Sequence, residues 1–313
     1  MKAYPATDSD PRPPSGPDGR NAPMPDNRLA SETLVSLLPP RTIIARQAQA
    51  ALEEDLGRGD RTAALVPPAQ SSRAEIRARQ DATLCGCAWL EAIFRFLDTH
   101  IEISWDLGDG ERVTDGVRIC SIEGATRALL TGERTALNYL QTLSGTATRA
   151  RRYAEALQGL PTRVLDTRKT LPGLRLQQKY AVRCGGCHNH RQGLDDGILI
   201  KENHILAAGS IAAALGAARA LAPTVPIEIE VESLAELEQA LSAGADRVLL
   251  DNFSLADLRS AVRTSHGRAV LEASGGVTLT SIRAIAETGV DAISIGDLTK
   301  DVHSVDLSMR LIP

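Results

Sequence analysis

The sequence predicts an α/β protein in two parts, a mixed α/β first half followed by a run of βα units. Three observations carry this. After residue 160, short apolar stretches alternate with helical stretches. Before it, alternating and helical periodicities are mixed and separated by Gly-Asp turn signals. Polar residues stand at the end of strand after strand in the second half.

Residues 1 to 30 are rich in Pro, Asp and Ser and bury almost nothing, which predicts a disordered tail, with Met24 a second candidate start. A helix follows with Ile43, Ile44, Ala48, Ala51, Leu52 and Leu56 on one face, broken by Gly57–Thr62. Strand patterns at Ala74–Ala78 and Ile101–Trp105 flank a helix from Ala88 to Leu97, with turns at 108–110 and 114–116. Cys85 and Cys87 alternate as packing residues of a strand. A long helix is expected from Glu133, capped by Thr131 and bent at Ser144-Gly145-Thr146. Strands are then expected at Val164–Asp166, Ile198–Lys201, Ile227–Val231, Arg247–Leu250, Ala269–Leu271 and Ala292–Ile295. Helices fill 210–221, 233–243, 254–265 and 280–288, a series that suits either a parallel barrel or a doubly wound sheet.

Composition narrows the function. A chain of 313 residues, 43% hydrophobic and 24% charged, is ordinary for a soluble globular protein. A net charge of −4 argues against a nucleic-acid binder, while leaving room for a local anion site. No apolar run is long enough to span a membrane, and five cysteines without an export signal point to a cytoplasmic protein with reduced thiols.

The chemistry is expected at the strand ends: Asp166, Lys201, Glu230 with Glu232, Asp251, Glu272 with Ser274, and Gly296. Any one of them reads as a solvated loop charge or a cap; together, in a barrel, they converge on one mouth. Glu228, Glu230 and Glu232 alternate and share a side of their strand, which suits a metal or sugar hydroxyls. Ser274-Gly275-Gly276 and Gly296 follow the last two strands, where bare backbone N–H groups can approach a phosphate. Arg168, Lys169, His190, Arg191 and Lys201 form a cluster of basic groups that call for anions.

The stretches Asp166–Arg175, Lys179–Val182, Asn189–Arg191, Leu199–His204, Glu228–Glu232, Leu249–Asn252 and Ser274–Gly276 together resemble the signature of the quinolinate phosphoribosyltransferases. So do Glu54–Gly57, Glu133–Asn138, Leu143–Gly145 and Asp306–Arg310. The resemblance runs from about residue 40 to the end. It implies an open α/β sandwich (31–137, joined by 305–313), then an incomplete α/β barrel (138–304), in a homodimer with shared sites. It also implies roles: Arg134, Arg168, His190, Arg191 and Lys201 on the carboxylates of quinolinate, and Lys169 on the pyrophosphate of phosphoribosyl pyrophosphate. Glu230 and Asp251 would hold ribose hydroxyls and Mg²⁺, directly or through water. Ser274, Gly275 and Gly296 would cradle the 5′-phosphate. Lys169, Lys201, Glu230 and Asp251 are the implied catalytic set.

Three residues depart from that pattern. Cys187 interrupts a glycine run, His188 replaces a small or apolar residue, and Asp297 puts a carboxylate beside the phosphate corner, where it would repel the anion unless turned away. Cys184-Gly-Gly-Cys-His188 also matches haem-attachment spacing, and with His190 a zinc site. Rival readings are a paralogous phosphoribosyltransferase for another heterocyclic acid, a Schiff-base aldolase using Lys201, and a nucleotide sensor.

Overall fold

The computed structural model describes residues 34–221 and 224–312; the expected tail at residues 1–30, Met24 included, lies outside the described residues. The first long helix among the described residues is α1 (Arg41–Leu56), which buries Ile44, Ala48 and Leu52, one residue per turn. Ile43, Ala51 and Leu56, expected on the same face, are only half-buried.

Strands β1 (Ser71–Ala78), β3 (Glu102–Trp105), β5 (Arg118–Ala125) and the C-terminal β12 (Leu307–Ile312) form one sheet in the order β12-β1-β5-β3. Every pairing in it is antiparallel, so the last residues of the chain return to the first domain. Helix α2 (Cys87–Leu97) and a ribbon of β2 (Ala82–Thr83) and β4 (Arg112–Val113) complete that domain. Cys85 and Cys87 are not in a strand: they flank Gly86, which caps α2 with φ +119°.

Helix α3 runs from Thr126 to Ala156 as one element of 31 residues. It starts seven residues before the expected Glu133, and Thr131 is no cap: its hydroxyl donates to Asp60 Oδ2 at 2.9 Å. Nor does Ser144-Gly145-Thr146 interrupt it. Gly145 is there because a Cβ would collide with the carbonyl of His303. The division expected at residue 137 falls inside this helix. Leu129, Ala136 and Leu140 belong to the core of the first domain, Ala150 and Tyr153 to that of the second. Leu143 and Ala147 join a cluster between them with Cys85, Trp89, Tyr180 and Cys184. A shared rigid helix replaces a linker.

The second domain holds β6 (Arg163–Leu165), β7 (Ile198–Ile200), β8 (Ile227–Val231), β9 (Arg247–Asp251), β10 (Val270–Ser274) and β11 (Ala292–Ser294). Their order is β6-β11-β10-β9-β8-β7, all parallel. Strands β7 to β11 lie in sequence order, without the reversal that defines a doubly wound sheet, so the crossovers turn one way round a barrel. Among the described residues β6 and β7 do not pair; a single parallel bridge from Leu165 to His188 covers β6 instead. The barrel is therefore open on that side. The loop that bridges it follows α4 (Arg175–Cys184), a helix that the sequence pattern did not show.

Candidate active site

The polar groups of the barrel fall into two sets. The inner set begins with Asp166, which follows β6 and is fully buried. It meets the ammonium of the buried Lys179 on α4 and accepts from Asn189 Nδ2 (2.6 Å) and the His190 N–H (2.9 Å). Lys179 also donates to the His190 carbonyl at 2.9 Å. Burial pushes the Asp166 carboxyl up and the Lys179 ammonium down, and the pairing of the two opposes both shifts. This knot, of which only Asp166 was expected at a strand end, sets where His190 and Arg191 stand.

His190, expected on a substrate carboxylate, has both ring nitrogens engaged. Nδ1 accepts from the Arg191 N–H at 2.7 Å, and Nε2 faces Glu228 at 2.9 Å and Glu272 at 3.6 Å. Burial alone would lower its pKa, but the Glu228 bond and the charges of Glu272 and Glu228 raise it. Glu272, fully buried, is pushed up to about 7 by burial and by the charge of Glu228. Contact with a ligand would require His190 to release one of these partners.

The outer set is at the mouth. Arg168 and Arg191 each have a buried Nε with no partner among the described residues. Burial, then the charge of Arg168, lowers the pKa of Arg191, so the two guanidinium groups share one field. Buried donors that lack acceptors, on cations that repel each other, mark a place for an anion. Lys201, after β7, donates to Glu230 Oε2 at 2.7 Å. Half-exposed and ion-paired, it lacks the desolvated setting that a Schiff-base lysine needs. Arg134 lies on α3, exposed and without a hydrogen bond or ion pair among the described residues.

Glycines make the adjoining corner. Gly275 has φ +101°, and a Cβ there would strike the Asn252 side chain; Gly276 has φ +57°. A Cβ on Gly296 would come within 2.9 Å of Lys169 Cδ, so Lys169 lies across that backbone. Ser274 ends β10 beside them. Asp297 turns away, accepting from Arg149 at 2.5 Å and Tyr153 at 3.0 Å. Its charge is thereby neutralised, which removes the expected repulsion. Asn252, with φ +56°, and Arg149 are site-shaping residues that the spacing did not single out.

Glu230 and Asp251 end neighbouring strands and are half-buried. Glu230 is bonded to Lys201, and Asp251 Oδ2 accepts from Asn252 Nδ2 at 2.8 Å. They are not in either group of converging ligand atoms found among the described residues, so a hard cation here would draw most ligands from substrate and water. Glu232, beyond β8, is exposed, and with Glu202, Glu230 and Glu236 it lines an acidic cleft unsuited to anions.

The haem or zinc spacing is a coincidence of sequence. Cys187 donates to the Ala150 carbonyl at 3.1 Å, and His188 Nδ1 pairs with Arg183 at 2.7 Å. Cys184 faces away from both, toward Cys85 and Asp109.

Comparison with known proteins agrees with this layout. Residues 60–144 match the family model described as the N-terminal domain of quinolinate phosphoribosyl transferase, and residues 146–310 match its C-terminal domain. The chain is 43% identical over 257 residues to a probable nicotinate-nucleotide pyrophosphorylase (carboxylating) of Bacillus subtilis, covering 82% of this chain and 89% of that one. It is 38% identical to the human nicotinate-nucleotide pyrophosphorylase (carboxylating), covering 90% of this chain and 96% of that one. The structure of the nicotinate-nucleotide pyrophosphorylase from Francisella tularensis superposes with a TM-score of 0.84 at 44% identity, covering 88% and 98% of the two chains.

Proposed function

The chain belongs to the quinolinate phosphoribosyltransferase family, and on that premise we propose that it converts quinolinate and phosphoribosyl pyrophosphate into nicotinate mononucleotide, pyrophosphate and CO₂. The observation that carries this reading is the pair of buried guanidinium Nε donors, on Arg168 and Arg191, that lack acceptors among the described residues, in a barrel that also presents Lys201 and a glycine corner crossed by Lys169. Several cations in one mouth suit a dicarboxylate beside a phosphorylated sugar.

In this reading the pyridine nitrogen attacks ribose C1 with its own lone pair, and the C1–oxygen bond to pyrophosphate breaks. The carbon gains cationic character, which Glu230 and Asp251 favour. Lys169 favours the departing pyrophosphate. Mg²⁺, held chiefly by the pyrophosphate and by Glu230 and Asp251 through water, would neutralise leaving-group charge. The quaternised ring then takes up the electron pair released as the adjacent carboxylate leaves as CO₂, and that ring carbon is protonated.

We place the enzyme as a homodimer in the cytoplasm. Five free cysteines suit a reducing compartment, and among the described residues no single helix is long and apolar enough to cross a membrane. Arg134, exposed and unengaged, supports a site completed across the dimer.

The test supplies quinolinate, phosphoribosyl pyrophosphate and Mg²⁺ and measures nicotinate mononucleotide and CO₂, with nicotinate in parallel. Turnover of quinolinate and none of nicotinate is expected. Comparable rates would overturn the dicarboxylate reading, because one carboxylate cannot use all the cations.

A further inference from the structure

We infer that Cys85, Cys87, Cys184 and Asp109 form a second site, remote in role from the chemistry, that binds one thiophilic divalent cation such as Zn²⁺ between the two domains. The ligand atoms of Cys85, Asp109 and Cys184 already lie within 4.8 Å of one another. Tetrahedral zinc would hold sulfur and oxygen ligands about 3.5–4 Å apart, so the groups need close in only slightly. The Cys87 N–H already donates to Asp109 Oδ1 at 3.1 Å, so the thiol of Cys87 is the nearby group that would turn in as the fourth ligand.

The surroundings are built rather than merely packed. Cys85 and Cys184 are buried. Asp109 Oδ1 accepts from the Gly86 N–H (2.8 Å) and the Cys87 N–H (3.1 Å), and Oδ2 from the Tyr180 hydroxyl (2.9 Å). These three bonds leave one of the four lone-pair positions on the carboxylate for a further partner. A cation would take that position, with Tyr180 orienting the carboxylate from behind. Ser144 fixes the backbone on both sides of Cys85, accepting from its N–H at 2.9 Å and donating to its carbonyl at 3.2 Å.

Charge points the same way. Asp109 is half-buried and has no ion pair among the described residues, so a bound cation would offset the cost of holding its carboxylate there. The Arg151 guanidinium donates to the carbonyls of Gly110 and Cys184 at 3.1 and 3.2 Å, close enough to offset part of the negative charge that three thiolates would bring. Binding M²⁺ would release the three thiol protons, forming three metal–sulfur bonds and one metal–oxygen bond. Cys184 ends α4, the helix whose Lys179 holds Asp166 and the His190 carbonyl. The cation would thus tie the first domain to the helix that shapes the active-site mouth.

The experiment is a titration of the reduced, chelator-treated full-length chain with Co²⁺. One equivalent should bind with thiolate-to-cobalt charge-transfer absorption and tetrahedral ligand-field bands, and Zn²⁺ should displace it. Cys85→Ala and Cys184→Ala should each abolish those bands, while Cys187→Ala keeps them. Zn²⁺ should also raise the thermal midpoint of the parent chain and not that of Cys184→Ala. Should those variants not fold, X-ray absorption at the zinc edge of the parent chain reads the donors directly, with three sulfurs and one oxygen expected. The absence of stoichiometric cobalt, bands that survive in Cys184→Ala, or a Cys85–Cys184 disulfide as the resting state would overturn the site.

Discussion

Asp166 and Arg168 are two residues apart, yet they belong to regions built on opposite terms. Around Asp166 every charge is buried and answered, by Lys179, Asn189 and the His190 N–H. Around Arg168 the cations repel one another and keep buried donors without acceptors. Both stretches carry charged residues that would look alike in a motif. The difference teaches that saturation, rather than charge, separates a residue that holds the site from one that awaits a ligand.

That contrast can be broken in order of expected effect. Lys179→Met strands Asp166 as a buried carboxylate and should cost about 3–5 kcal/mol of folding stability. Urea denaturation reads it, and a loss under about 1 kcal/mol would mean the inner knot is not structural. Arg168→Ala should behave inversely. Its stability should change by no more than about 0.5 kcal/mol, while kcat/KM for quinolinate falls about 10²- to 10³-fold. Destabilisation with normal kinetics would place Arg168 in the inner class.

Arg134 extends the comparison to the other domain, as a cation answered by nothing in its own chain among the described residues. If it completes a neighbour's site, refolding Arg134→Ala together with Lys201→Ala should return about a quarter of full activity. About half the dimers would then be mixed, each with one intact site. Mixed dimers confirmed by mass but inactive would return Arg134 to its own chain.

Much of this was legible in the sequence because it repeats locally. Strands β7 to β11 and most helices between them follow from apolar periodicity, although the short helix Glu202–Ala208 was not read. The resemblance supplied the incomplete barrel and the return of the C-terminal strand. Strand β5 was hidden because Ile119, Cys120, Ser121 and Ile122 are all buried, leaving no alternation to read. The start of α3 was hidden because Ala125, at its N-cap position, has no side chain that can cap it.

The sequence by itself determined the βα series after residue 160, the family pattern and the inventory of cations, carboxylates and glycines, since these depend on neighbours a few residues apart. Only the tertiary structure decided which of those groups are spent. Asp297 is engaged because Arg149, 148 residues earlier, reaches it. His190 faces inward because Glu228 and Glu272 stand on other strands. Cys184 has Cys85 for a partner rather than Cys187 because α3 brings the two domains against each other. A hydrogen bond or a metal ligand is fixed by distances of a few ångströms in space, and separation along the chain does not encode them.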